Sequence, residues 1–225
     1  MTGSEPRFGV PAYFHPAYEP QAWRNLAGLG PRLAFAILNP DSGPGEGVDR
    51  AYLEPITEVH AAGGAVIGYV DTDYGRRPGS AVLQDLVAYR YWYGLHGVFL
   101  DQVPSGREHL VHYRGIAAAA RRIGLEFLAV NPGVTPDPGY AEFADVVVTF
   151  EGPWTAYGDH VVADWVRSHP PERFCHLVHS APSAELASTR DTVEDCHAGA
   201  VYITEVTGAN PWGRLSAQLD HTPAA

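Results

Sequence analysis

The sequence predicts an α/β protein: a single compact (β/α)8 TIM barrel, with one domain spanning residues 1–225. Eight short apolar segments recur along the chain, and each is followed by turn residues and then by a stretch suited to a helix. The segments are apolar along their whole length, as expected of parallel strands that are buried on both faces. Strands that alternate with helices imply right-handed parallel connections, and eight such units in this length fit a small barrel.

An open, doubly wound sheet is the alternative architecture. Its dinucleotide-binding form carries a Gly-x-Gly-x-x-Gly turn after the first strand. No such turn follows residues 8–13, and no linker rich in Pro, Gly or Ser divides the chain. These two absences favour the closed barrel.

The predicted strands end where turn-forming residues begin. Residues 33–38, for example, form an unbroken apolar run that stops at the loop Asn-Pro-Asp-Ser-Gly-Pro-Gly. The eight strands are predicted at 8–13, 33–38, 65–70, 97–100, 127–130, 146–150, 174–178 and 200–203.

The predicted helices are recognised by apolar spacing and by their end signals. Leu53, Ile56 and Val59 share one helical face, and Ser183 is a plausible cap for a late helix. Helices are predicted at 20–27, 50–62, 80–93, 108–123, 161–167, 183–197 and, weakly, 211–219, with a short helical piece near 140–143.

Composition and charge exclude several classes of function. The net charge is −11, and the 15 basic residues are scattered arginines, so a nucleic-acid partner is not expected. No apolar run approaches the roughly 20 residues that a membrane span needs. Residues 1–7 are polar and lack the apolar segment of a signal peptide. The sequence as written therefore predicts a cytoplasmic protein, or a secreted one if its N-terminus has been trimmed.

Metal, disulfide and cofactor chemistry also find little support. Cys175 and Cys196 fit no zinc spacing and are expected to be buried thiols, and the 11 histidines form no ligand motif. No metal or cofactor is predicted. A lyase or aldolase that forms a Schiff base needs a lysine, and the sequence contains none.

Polar and ionisable residues follow all eight predicted strands. In a barrel the carboxyl ends of the strands meet at one rim, where active sites lie. We therefore expect one pocket lined by these residues. They are Tyr13, His15, Asn39, Asp41, Asp71, Asp73, Tyr74, Asp101, Gln102, Asn131, Glu151, His179 and Glu205.

The residue types at this rim are typical of glycoside hydrolysis, which needs one acid and one further carboxylate. Asp101 directly follows a buried strand, although a helix cap or a turn is an equally good interpretation of it taken alone. Aromatic side chains could stack on sugar rings, with core packing as the alternative, above all for Tyr69. The aromatic candidates are Tyr13, Tyr69, Tyr74, Trp154 and Trp212.

Five segments resemble the spherulin-4-like (spherulation-specific) family, in the same order and over most of the chain. The first two are fairly specific in combination. The segments are Asn39-Pro-Asp-Ser-Gly-Pro-Gly45, Gly68-Tyr-Val-Asp-Thr-Asp-Tyr-Gly-Arg-Arg77, Gly97-Val-Phe-Leu-Asp101, Asn131-Pro-Gly133 and Phe150-Glu151.

The resemblance implies a (β/α)8 barrel and activity as an endo-α-1,4-N-acetylgalactosaminidase or a related polygalactosaminidase on galactosamine-containing exopolysaccharide. It places the nucleophile, or the carboxylate that stabilises the transition state, at Asp101, and the general acid/base at Glu151. Two residues depart from the family pattern. Gln102 stands where a Glu is usual, and Asp71 stands where His or another neutral residue is expected.

The leading hypothesis is therefore a two-carboxylate glycosidase, expected to be retaining, with the Asp101 and Glu151 carboxyl groups roughly 5 Å apart. Substrate contacts are expected from the other rim residues except Asp41, namely Tyr13, His15, Asn39, Asp71, Asp73, Tyr74, Gln102, Asn131, His179 and Glu205, and from Trp154. The alternative hypothesis is a carbohydrate-binding barrel without catalysis, because Gln102 cannot exchange a proton at neutral pH. The sequence does not define the oligomeric state.

Overall fold

The computed structural model describes residues 6–183 and 196–220. Its eight parallel strands form a closed barrel in the order β1 to β8, and β1 pairs with β8 through Arg7 with Ala200 and Phe8 with Val201. The predicted (β/α)8 fold is confirmed. The strands are β1 (Arg7–Ala12), β2 (Leu33–Leu38), β3 (Val66–Asp71), β4 (Gly97–Asp101), β5 (Phe127–Val130), β6 (Val146–Pro153), β7 (Phe174–His179) and β8 (Ala200–Ile203).

Several strands extend one or more residues beyond their predicted ends. Each extension brings a polar rim residue into the sheet itself, namely Asp71 in β3, Asp101 in β4, Glu151 in β6 and His179 in β7. Asp71 and Asp101 are register partners on neighbouring strands. The carboxylates at this rim are therefore carried by hydrogen-bonded strands rather than by loops, which fixes their positions more firmly.

Six α-helices are present in the described residues. Short 3-10 turns precede two of them, so the predicted helices 50–62 and 108–123 begin as Arg50–Tyr52 and Arg107–His109. The helices are α1 (Pro20–Gly28), α2 (Leu53–Ala61), α3 (Gly79–Trp92), α4 (Leu110–Arg122), α5 (Trp154–Tyr157) and α6 (Asp164–Arg167).

The barrel and its helices share one continuous apolar core. The strand side chains are almost entirely buried, as the unbroken apolar runs predict. Helix α3 lies unusually close to β3, because a Cβ atom on Gly68 would stand 2.3 Å from the Tyr89 ring. The absence of a side chain at Gly68 thus lets Tyr89 pack directly on the sheet.

Several helix predictions need correction. Residues 211–219 form turns rather than a helix, because two of their backbone amides donate to distant side chains: the Ser216 amide donates to the Tyr202 hydroxyl and the Ala217 amide to the Glu205 carboxylate. The predicted helix 161–167 is shortened to α6. The piece predicted near 140–143 is the 3-10 turn Pro138–Glu142.

Some predictions concern residues at the edge of what the structure describes. Most of the predicted helix 183–197 lies outside the described residues.

Cys175 and Cys196 are both buried and form no disulfide, as expected. Within the described ranges, no helix is long and apolar enough to cross a membrane.

Candidate active site

An asparagine links the two acids that the sequence predicted to be catalytic. The side-chain amide of Asn131, just after β5, donates to Asp101 Oδ1 at 2.7 Å and to Glu151 Oε2 at 2.5 Å. The amide orientation is fixed because Asn131 Oδ1 accepts from the Gly133 backbone amide at 2.9 Å. The bonded carboxylate oxygens therefore lie within about 5 Å of each other, a separation bounded by the two Asn131 distances.

Asp101 is held as an oriented carboxylate. The Tyr69 hydroxyl donates to Asp101 Oδ2 at 2.8 Å, and Asn131 donates to Oδ1. Burial raises the pKa of Asp101, whereas the hydrogen bonds from Tyr69, the Gln102 amide and Asn131 lower it, and the nearby charge of Asp71 raises it. Burial outweighs these donors, so the pKa of Asp101 is raised overall, while the Tyr69 and Asn131 hydrogen bonds fix the direction of its two oxygens.

Glu151 has fewer donors and a like charge beside it. Burial raises its pKa, hydrogen bonds from Asn131 and Trp212 lower it, and the charge of Asp101 raises it. An acid surrounded in this way retains its proton to higher pH than an exposed glutamate does. The two carboxyl groups thus differ in donor number, with three on Asp101 and two on Glu151.

Tyr13 forms an aromatic wall beside the two acids. Its ring meets Tyr69 edge to face with the ring centroids 5.5 Å apart. Burial raises the pKa of Tyr13, and the charges of Asp101, Tyr69 and Glu151 add to the shift. Tyr69 is buried, as expected of a residue that packs in the core, and its hydroxyl also donates a hydrogen bond to Asp101.

The loops after β3 and β4 carry backbone strain at the rim. Gln102, Asp73 and Tyr74 all have positive φ angles, 52°, 45° and 52°, which are unfavourable for residues other than glycine. The Gln102 carbonyl accepts from the Tyr74 amide at 2.8 Å and from the Thr72 hydroxyl at 3.0 Å. Such strain is often concentrated at functional sites.

Tyr74 and Asp73 lie at the outer part of this loop. Tyr74 is half exposed, and the Arg76 guanidinium lies over its ring at 5.7 Å. Asp73 forms an ion pair with Arg76, which lowers the pKa of Asp73. No hydrogen bond or ion pair joins either side chain to Asp101 or Glu151, and substrate contact by them stays a prediction.

Three predicted site residues instead hold loops and segments in place. His15 bonds to Asp49 Oδ2 at 2.8 Å and accepts from the Ala17 amide. Asn39 Oδ1 accepts from the Gly43 amide at 2.8 Å inside the loop after β2. Glu205 accepts from Ser216 Oγ at 3.1 Å and faces Arg214. Their recorded hydrogen bonds are therefore structural, and substrate contact by them stays a prediction.

The C-terminal segment contributes an aromatic residue that sequence reasoning assigned only to sugar stacking. Trp212 is buried, it lies close enough to Glu151 to lower the pKa of that acid, and its ring centroid is 5.9 Å from that of His179. Burial lowers the pKa of His179, which favours the neutral ring. The signal that could have indicated this role is that a buried indole N–H needs an acceptor.

Trp154 begins α5, two residues beyond Gly152, and packs on Tyr157 with ring centroids 6.0 Å apart. It is partly exposed, which suits a surface aromatic next to the Glu151 strand. Among the residues that the structure describes, no group of three or more His, Cys, Asp or Glu side chains is arranged to hold a metal ion.

Fold and site together define a (β/α)8 barrel whose strand ends present a partly buried, asparagine-bridged pair of carboxyl groups flanked by tyrosine and tryptophan. The sequence profile of spherulation-specific family 4 matches residues 8–225. The chain belongs to this family, as its sequence motifs predict.

Two relatives extend over nearly the whole chain. Spherulin-4 of Physarum polycephalum is 30% identical over 238 residues, which cover 100% of this chain and 71% of that protein. The structure of Aspergillus clavatus Sph3 in complex with GalNAc superposes with a TM-score of 0.84 at 25% identity, covering 98% of this chain and 96% of that one.

More distant barrels share only the fold. Active domain 2 of a thermostable chitinase from Pyrococcus furiosus, solved with chito-oligosaccharides, gives a TM-score of 0.56 at 11% identity and covers 95% of this chain and 91% of that one. The family match and the likeness to Sph3 support a carbohydrate-related function for this chain.

Proposed function

We propose that this protein is a glycoside hydrolase that cleaves α-linked polysaccharides containing galactosamine or N-acetylgalactosamine, the exopolysaccharide class implied by the family resemblance. One observation carries the proposal: Asn131 bridges Asp101 and Glu151 at the barrel rim, with 2.7 and 2.5 Å hydrogen bonds. The GalNAc found in the Sph3 complex supports an amino sugar as the ligand.

The separation of the two acids favours a retaining mechanism. Retaining glycosidases hold their carboxyl groups about 5–5.5 Å apart, whereas inverting enzymes leave room for a water at about 6.5–9.5 Å. The oxygens bridged by Asn131 are too close for the wider arrangement. Asp101 then attacks the anomeric carbon, or stabilises the positive charge that develops there, while the bond to the leaving oxygen breaks.

The difference in environment supports a division of roles. Asp101 accepts three hydrogen bonds and acts as the anion, and Glu151, close to that anion, supplies the proton to the leaving oxygen. In the second half of the reaction Glu151 takes a proton from a water that bonds to the anomeric carbon, and the bond between that carbon and Asp101 breaks to release the carboxylate. Tyr13 and Trp154 offer aromatic faces on which sugar rings can stack.

A carbohydrate-binding barrel without catalysis is the second candidate, and Gln102 is the observation that favours it. The glutamine replaces an acid that the family usually carries, and its backbone, with φ at 52°, retains a strained conformation. In the proposed hydrolase the acid at this position is dispensable, because Asp101 and Glu151 already form the pair.

The release of reducing oligosaccharides from partly de-N-acetylated galactosaminogalactan tests the proposal. We expect Asp101→Asn and Glu151→Gln each to lower turnover by about 10²–10⁴-fold. Glu58→Gln, an exposed acid on α2, is the matched control and should retain full activity. Binding of the polymer without turnover by the unmodified protein would favour the second candidate instead. The anomer first released, followed by NMR, tests retention.

A further inference from the structure

Asp71 places a third carboxylate beside the catalytic pair. It ends β3 in register with Asp101 on β4, so the two side chains emerge on the same side of the sheet. The charge of Asp71 is close enough to raise the pKa values of Asp101 and Tyr69. Asp71 is only partly buried, so it remains open to a ligand at the rim.

No cationic side chain in the described ranges neutralises Asp71. The two nearest arginines in the sequence are engaged elsewhere: Arg76 pairs with Asp73, and Arg77 pairs with Asp85 at 2.7 Å. Arg77 does reach Asp71, but through the backbone carbonyl at 2.8 Å. The carboxylate itself accepts one recorded bond, from the Asp73 amide to Oδ1 at 2.7 Å, which leaves Oδ2 available.

Asp71 and the proposed anion Asp101, neither of them in an ion pair with an arginine among the described residues, give this part of the rim a negative potential. Burial is the main cause of the raised pKa of Asp101, and beside such a partly desolvated group an added positive charge is stabilised more than in water. The net charge of −11 extends the same field over the surface. A ligand that brings its own positive charge completes this arrangement.

We propose that Asp71 selects the unacetylated amino sugar, whose C2 ammonium group binds the free carboxylate oxygen beside Asp101. This inference rests on the proposed function, since it specifies which amino sugar occupies the same site. An ammonium donates charge-assisted hydrogen bonds to a carboxylate, whereas the acetamido group of the N-acetylated sugar is neutral and larger. The protein therefore prefers de-N-acetylated stretches of the polysaccharide.

Two other roles for Asp71 make different predictions. If the side chain only closes the turn at Asp73, Asp71→Asn retains the acceptor oxygen and changes nothing. If it acts only by raising the pKa of Asp101, Asp71→Asn changes the turnover of both substrates by the same factor and moves the pH–rate profile. If Asp71 selects by charge, Asp71→Asn instead changes the ratio of the affinities for the two sugars.

Calorimetric binding in a Glu151→Gln background separates these roles, because it does not depend on turnover. The probes are α-1,4-linked galactosamine and N-acetylgalactosamine oligosaccharides of equal length. We expect the cationic oligosaccharide to bind more tightly than the N-acetylated one. Asp71→Asn should lower the affinity for the cationic oligosaccharide about tenfold and leave the affinity for the N-acetylated one unchanged. The preference should shrink as salt is raised. Glu58→Gln in the same background should change neither affinity.

Equal affinity for the two oligosaccharides, or an equal loss for both in Asp71→Asn, would overturn the inference. Failure of the proposed function is measured differently: the unmodified protein would hydrolyse neither the galactosamine polymer nor the N-acetylgalactosamine polymer. A protein that hydrolyses both polymers equally well, with or without Asp71, would retain the proposed function and lose the selectivity.

Discussion

The side chain of Trp212 lies close enough to the Glu151 carboxyl group to lower its pKa, although the two residues belong to segments on either side of β7 and β8. A few residues further along, the side chains of Tyr202 and Glu205 hold the backbone of residues 216 and 217 by accepting hydrogen bonds from their amides. The C-terminal segment, which has no regular secondary structure, is thereby tied to the proposed general acid.

Removing the indole N–H of Trp212 should change the pKa of Glu151 while the aromatic packing is retained. Trp212→Phe retains a ring against His179 and Tyr202 but loses the N–H that lowers the pKa of Glu151. We expect the pKa of Glu151 to rise, so the alkaline limb of the pH–rate profile should move to higher pH. Trp165→Phe, on α6, is the control and should leave that limb in place. An unchanged limb in Trp212→Phe would argue against Glu151 as the acid.

The Tyr69 hydroxyl should be needed to keep Asp101 ionised. Tyr69→Phe retains the edge-to-face contact with Tyr13 and removes one donor to Asp101 Oδ2. Loss of a hydrogen bond to a charged group amounts to about 1.5–3 kcal/mol, so turnover should fall about 10–100-fold. The acidic limb should move to higher pH, because the pKa of Asp101 rises. Tyr89→Phe removes a buried hydroxyl that bonds to the Leu38 carbonyl and should leave this limb unmoved.

The buried acids should lower stability near neutral pH. Burial raises the folded-state pKa of Glu151 above its unfolded value, so the native state binds more protons and stability falls as pH rises between the two pKa values. Glu151→Gln removes this penalty. We expect its melting temperature to exceed that of the unmodified protein at pH 7 and to match it near pH 4, as measured by calorimetry. A lower melting temperature at pH 7 would contradict the assigned direction of the pKa shift.

The close contact of Gly68 with Tyr89 should be sensitive to one methyl group. Gly68→Ala places a Cβ atom 2.3 Å from the buried ring, and such overpacking lowers the free energy of unfolding by about 1–3 kcal/mol. Gly115→Ala is the matched control, because no atom lies within 4 Å of its added Cβ on helix α4. Alanine there should be neutral or stabilising by up to about 1 kcal/mol. Urea denaturation of both variants measures the difference.

The sequence predicted the strands better than the helices. Apolar runs such as Leu33–Leu38 leave few interpretations other than a strand buried on both faces, and their bounds agree with the structure. The segment 211–219 was wrongly predicted as helical, because its backbone hydrogen bonds go to Glu205 and Tyr202. Partners so far away in the chain leave no mark on local periodicity.

One feature of the site follows from strand order alone, namely the location of Asp101 and Glu151 at the same rim. Parallel strands bring their carboxyl ends to one edge, so any acid that ends a strand is delivered there. The same rule gathered His15, Asn39 and Glu205 into the predicted site, although their hydrogen bonds hold neighbouring loops and segments. Residue type and rim position do not specify the direction in which a side chain bonds.

By itself, the sequence determined the barrel and the family and placed Asp101 and Glu151 at the rim, because apolar periodicity and short motifs are local properties of the chain. Only the tertiary structure decided that Asn131 bridges those acids, that Trp212 reaches Glu151 and that Asp71 has an oxygen left without a cation in the described residues. The first two features join segments far apart in the sequence, and the third depends on where the arginine side chains lie in the folded chain. Their geometry exists only once the barrel closes and fixes the strands in register.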